Sequence, residues 1–151
     1  MNVRTWSVCA ITAVTLAAGA SAGCDEKLSD IAGPSPNLTP TFSSIQQEIL
    51  QSTDEAGRTA CVQCHTGRIP NLALNFTSGQ DIYAQLVNVP SRQKPELMLV
   101  NPGNPDASYL IHKLEGGPGI VGVQMPRNGP PFLTAGQLQV IRRWIEIGAP
   151  R

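Results

Sequence analysis

Residues Thr59 to Gly67 read TACVQCHTG, with Cys61 and Cys64 three positions apart and His65 directly after the second. Thiols and an imidazole this close together can bind zinc, exchange disulfides or hold a heme. Each chemistry needs something more from the chain. A structural zinc site takes four ligands, and beyond this cluster the mature chain offers only His112 and carboxylates, with no second cysteine or histidine pair. A disulfide-exchange motif belongs after a strand and at the start of a helix in an α/β fold, and no strand alternation is sustained anywhere here. C-x-x-C-H is also the attachment pattern of c-type heme. On a helical turn, positions i and i+3 lie on one side. Cys61 and Cys64 can then each form a thioether with one of the two heme vinyl groups, and His65 can turn its imidazole to the iron. One covalent heme c is the expected cofactor.

Iron so held needs a second axial ligand or an open position. The candidates are Met98, His112 and Met125. Met125 sits in VQMPRNGPP, a loop rich in Gly and Pro that can bring a thioether to the far heme face. Met98 sits in the apolar run ELMLV and reads as a buried packing residue. His112 reads as a partly exposed helix histidine beside Lys113. Met125 is the expected distal ligand. A decoy lies close by: residues 117–122, GPGIVG, spell G-x-G-x-x-G. A dinucleotide site needs a preceding strand and a following helix, and a proline-rich loop comes after it instead.

The other two cysteines belong to the N-terminus. MNVRTWSVCAITAVTLAAGASAGC has one early arginine, an apolar run from about Trp6 to Ala20, then small residues. This is the layout of a secretory signal over residues 1–23. Two cleavages compete: ASA fits ordinary cleavage before Gly23, while SAGC resembles the lipobox of bacterial lipoproteins, which would make Cys24 a lipidated first residue. Cys9 is lost either way. Residues 24–40, with Pro34, Pro36 and Pro40, read as a flexible tether. The sixteen residues 25–40 span roughly 50 Å fully extended and about 20–25 Å as a coil. The expected location is exported: periplasmic, or held at a membrane through the lipid, with cell-surface display open. A formal net charge of zero offers no general argument for nucleic-acid binding.

Four helices are predicted to position the cluster. The first covers about Thr41–Ser52, with Thr39 as cap, Pro40 at the first helical position, and Phe42, Ile45 and Ile49 on its apolar stripe. The second covers Gly79–Asn88, with Ser78 and Asp81 in a capping-box pattern. The third is PDASYLIHKL, with Asn104 as cap and Pro105 first. The last begins at a capping box of Thr134 and Gln137, buries Leu138, Ile141, Trp144 and Ile145, and ends at Gly148 and Pro150. The fold class is all-α, with residues 41–151 as one domain. Only 5% of the residues are aromatic, against 14 glycines and 13 prolines. So loop-rich a chain has limited means of building a core, and a large apolar cofactor would help fill it.

An early amphipathic helix, CVQCH, a later MP and a C-terminal helix carrying WIEIGA together resemble a class I monoheme cytochrome c. More narrowly, FSSIQQEIL, VNPGNPDASYLIHKL and MPRNGPPFLTAGQLQVIRRWIEIGAP resemble the small cytochrome-c-like domains of exported bacterial proteins. Met125 lies 60 positions after His65, a separation similar to that of the family. The resemblance covers about residues 41–150. It implies about four helices with long loops around one heme, crossing first and last helices, and His65 and Met125 as axial ligands. Residues 66–101 carry no motif of the family. With both axial positions filled by protein, electron transfer is favoured over chemistry on a substrate. The expected role is a one-electron carrier, not an enzyme, between a redox donor and acceptor the sequence does not name. Two rivals remain: a sensor or peroxidase-like enzyme in which Met125 leaves the iron, and a subunit of a larger extracellular electron conduit. Arg58, Arg68 and Arg127 flank the proposed ligands, and Arg142 and Arg143 adjoin on the last helix; they read as an ordinary solvated surface.

Overall fold

A computed structural model describes residues 38–54, 56–68 and 73–151. The expected signal segment, Cys24 and the tether up to residue 37 lie outside these. Regular secondary structure among the described residues is helical, and no strand forms, only isolated bridges. No described helix is long and apolar enough to cross a membrane.

Helix α1 spans Phe42–Ile45 and runs on as a wider π-helical turn, Gln46–Leu50. Its cap is Thr41, whose side chain accepts from the Ser44 N–H, and not Thr39 as the sequence suggests. Thr39 instead donates its own N–H to the Ser44 hydroxyl at 3.0 Å, so Pro40 precedes the helix. Phe42, Ile45, Ile49 and Leu50 are buried, and Leu38 packs against the same core. Helix α2 is shorter than predicted, Ile82–Leu86, capped by Asp81 through the Ala84 N–H. It ends at an extended Val87 because the chain there turns to pair with residues 97–100: Asn88 donates to the Val100 carbonyl at 3.0 Å and Val100 to that of Leu86 at 3.0 Å.

The predicted third helix forms in two pieces. Asn104 does cap Pro105–Ala107, but that is a single 3-10 turn, and Ser108 is extended. Helix α3 then covers Tyr109–Glu115. The physical cause is a competing set of acceptors. Tyr109 and Leu110 send their N–H groups to the carbonyls of Met98 and Leu99, both at 2.9 Å, and not back along a helix. Helix α4, Ala135–Glu146, has the capping box read from Thr134 and Gln137. Ile141, Trp144 and Ile145 are buried, while Leu138 is only partly so. α4 packs on α1, with the Phe42 and Trp144 rings 5.6 Å apart, and on α3. Past α4, Gly148 takes φ +99°, which only glycine adopts freely, and Trp144 donates to the Pro150 carbonyl at 2.8 Å.

Candidate functional site

C-V-Q-C-H folds as one tight turn. Cys61–Gln63 is a 3-10 helix, and both Cys64 and His65 send their N–H groups to the Cys61 carbonyl, at 3.2 and 2.9 Å. The two thiols and the imidazole therefore leave one short segment. The chain beyond His65 locks this turn in place. Phe76 donates to the His65 carbonyl at 2.7 Å, and Thr66 bridges Asn75. Asn75 packs so close to Gly67 that a β-carbon on Gly67 would fall 2.8 Å from its amide nitrogen. Gln85 holds the Asn75 backbone from α2 with two hydrogen bonds, at 2.7 and 2.9 Å. Thr66, Asn75, Phe76 and Gln85, in a stretch silent at the level of motifs, thus brace the histidine.

Cys61, Cys64, His65 and Met125 all line one cavity of about 410 Å³. Its walls are the end of α1 with Glu48 and Ile49, the 58–65 segment, Lys113 and Leu114 of α3, residues 121–128, and Leu133 with Gln137. The lining is largely apolar, and the volume lies within the roughly 300–1,000 Å³ of small-molecule and cofactor pockets. Met125 is partly buried against the core. The other two candidate ligands are elsewhere. The His112 ring nitrogen Nε2 is engaged with the Asp106 carbonyl at 2.7 Å. Met98 is 38% exposed, so its expected burial is not seen; only its backbone is used, as an acceptor and in bridges.

The electrostatics of the cluster arise from desolvation. Burial pushes the Cys61 thiol up to about 11, and its sulfur lies 3.7 Å from the Ile49 carbonyl. Cys64 is exposed, and both cysteines are free. Burial, and then the nearby Lys113 charge, lower the His65 imidazole below its ordinary range. Both causes favour the neutral imidazole, which has a lone pair to give. His65 Nδ1 is buried and has no hydrogen-bond partner among the described residues. Among those residues no group of three or more His, Cys, Asp or Glu side chains converges as a metal-ion site.

Two features of the walls are not legible in the sequence as parts of a site. Arg58, a surface charge by its sequence context, donates Nε–H to the Phe132 carbonyl at 2.7 Å and pairs with Asp54 at 2.9 Å. Gln137, a helix cap by its spacing, also donates to Asp54 at 3.3 Å. Burial alone would raise the Asp54 carboxyl; the hydrogen bonds from Arg58 and Gln137 outweigh it and hold the group below its ordinary value. Lys113 is buried, and its ammonium donates to the Val121 and Val123 carbonyls at 2.9 and 2.6 Å. Of the other arginines, Arg127 lines the cavity and Arg68 is exposed. Arg142 is paired with Asp106 and Glu115, and Arg143 with Glu146.

No known protein family, curated protein or solved structure matches this chain.

Proposed function

We propose that this protein is a one-electron carrier of the class I cytochrome c type, with one covalently attached c-type heme in the 410 Å³ cavity. The observation that supports the reading is convergence. The C-x-x-C-H turn and a methionine 60 residues later line the same largely apolar cavity. Cys61 and Cys64 would hold the group through thioethers, and His65 and Met125 would be its axial ligands. When bound there, the heme supplies a one-electron iron couple.

The residues fit that group in two ways, and a third observation counts against a rival chemistry. A neutral, desolvated imidazole is the ligand form of histidine. An apolar wall with a thioether favours the reduced iron and a high potential. A thiol held near 11 is a poor thiolate nucleophile, which counts against disulfide exchange at this C-x-x-C. Export belongs to the same proposal, because a covalently attached cofactor cannot be lost outside the cytoplasm; the mature N-terminus is then either a lipidated Cys24 or the chain cut before Gly23. Donor and acceptor are redox proteins.

The test is spectroscopic. Protein made in an export-competent host with heme-attachment machinery should keep its heme through denaturation, in a one-to-one ratio. The oxidised form should show the far-red methionine–iron band, and Met125→Ala should abolish it. A heme-free product, or a band that survives Met125→Ala, rejects the assignment.

A further inference from the structure

Lys113 stands out as a buried lysine with no carboxylate partner among the described residues. Taking an ammonium out of water is unfavourable unless its protons are satisfied. Here two are taken by the Val121 and Val123 carbonyls. Those carbonyls belong to the stretch of chain that runs into Met125, residues 121–125. The same lysine's backbone carbonyl accepts the Met125 N–H at 2.7 Å. Neighbours on α3 add to the seam: Val121 donates to the Tyr109 hydroxyl at 2.9 Å, and Gln124 to the Leu114 carbonyl at 2.8 Å. Lys113 also lines the cavity that holds His65 and Met125.

We propose that Lys113 is the positioning residue of the Met125 side of the site: it fastens residues 121–125 so that the thioether stays in the cavity, and its fixed positive charge on the wall disfavours the oxidised form. This rests on the heme reading above. The physics is direct. Oxidation adds a positive charge inside a largely apolar cavity, and a like charge on the wall opposes it. Of the acids lining the cavity, Asp54 is engaged by Arg58 and Gln137, and Glu48 stands on the α1 wall. Neither forms an ion pair with Lys113.

The test compares heme-loaded full-length protein with Lys113→Arg, which keeps donors and charge, and Lys113→Met, which keeps the aliphatic stem and loses both. Two readouts are taken at neutral pH: imidazole binding to the oxidised form, which reports how readily Met125 yields, and the midpoint potential. Lys113→Met should bind imidazole roughly tenfold more tightly. Its potential should fall by the equivalent of at least a threefold change in the redox equilibrium, where tenfold is about 59 mV for one electron. Lys113→Arg should restore both. If Lys113→Met does not accumulate, Lys113→Gln, which keeps an amide donor without the charge, should still lower the potential. Wild-type values for Lys113→Met, or for Lys113→Gln in its place, overturn the inference while leaving the heme reading intact. A wild-type protein without covalent heme overturns both.

Discussion

Cys61 and Cys64 differ in surroundings although one helical turn joins them. Cys61 is desolvated against the Ile49 carbonyl, and Cys64 reaches solvent. The Cys61 sulfur meets the Ile49 carbonyl in the π-helical end of α1, at 3.7 Å. Beside them, Asp54 draws on Arg58 and Gln137 to close one wall of the cavity. Its carboxyl titrates lower in the folded state than in the unfolded chain. Its stabilising contribution is therefore complete above the unfolded value of about 3.9 and is lost as pH falls through the lower folded one. Asp54→Asn should cost about 1–3 kcal/mol at pH 7. The gap from wild type should begin to narrow below about pH 4, where the unfolded carboxyl takes up its proton, and should close only below the lower folded value, where both carry a neutral side chain. Denaturant unfolding at pH 7 and pH 3 measures this. A gap of equal size at both would show that the carboxylate charge is not what matters.

At the scale of elements, what matters is where backbone donors go. α4 starts cleanly because Thr134 and Gln137 satisfy each other's end of the first turn. Thr134→Ala should lower stability by about 1 kcal/mol, readable as a shifted unfolding midpoint with an unchanged denaturant slope. A loss well above that would point to the cavity wall, since Gln137 also lines it. The third predicted helix breaks in two for the converse reason. Asn104, Pro105 and the apolar spacing of Leu110 and Leu114 are good local signals, and they do act. Yet Ser108 is buried and bonds the Asn101 N–H and the Asn104 carbonyl, which bends the chain out of the helix. No local rule announces that the 97–101 segment will lie alongside.

For the whole molecule, the cavity sits beside a core of modest size. Phe42, Trp144 and the aliphatic residues of α1, α3 and α4 pack on one another, while the lining of the cavity faces space. Removing a resident group from a small domain removes the free energy of binding it as well. On the proposed heme assignment, the Cys61→Ala/Cys64→Ala protein would lack the attachment thiols and should therefore be largely unfolded. Far-ultraviolet circular dichroism and a thermal scan check this. A cooperative melt near that of the heme-loaded protein would show that the polypeptide core suffices. Much of the surface charge is tied in pairs such as Arg142 with Glu115 and Arg151 with Asp81.

Short-range physics makes the sequence legible at TACVQCHTG, at the Thr134–Gln137 cap and along the buried face of α4. Each of these depends on residues within a turn or two of each other, so type and spacing are enough to see which groups share a side. The all-helical class is legible for the same reason. The remaining decisions require distant parts of the chain to meet. Arg58 finds the Phe132 carbonyl 74 residues away, Gln137 reaches Asp54 across 83, and Asn128 bonds Thr59 across 69. Lys113 is one more helix lysine by sequence, and only the return of residues 121–125 over α3 buries it on the wall of the cavity. Burial, desolvation and the choice among carbonyl partners are properties of such long-range packing. They decide which side chains face the cavity, and the order of residues alone does not carry them.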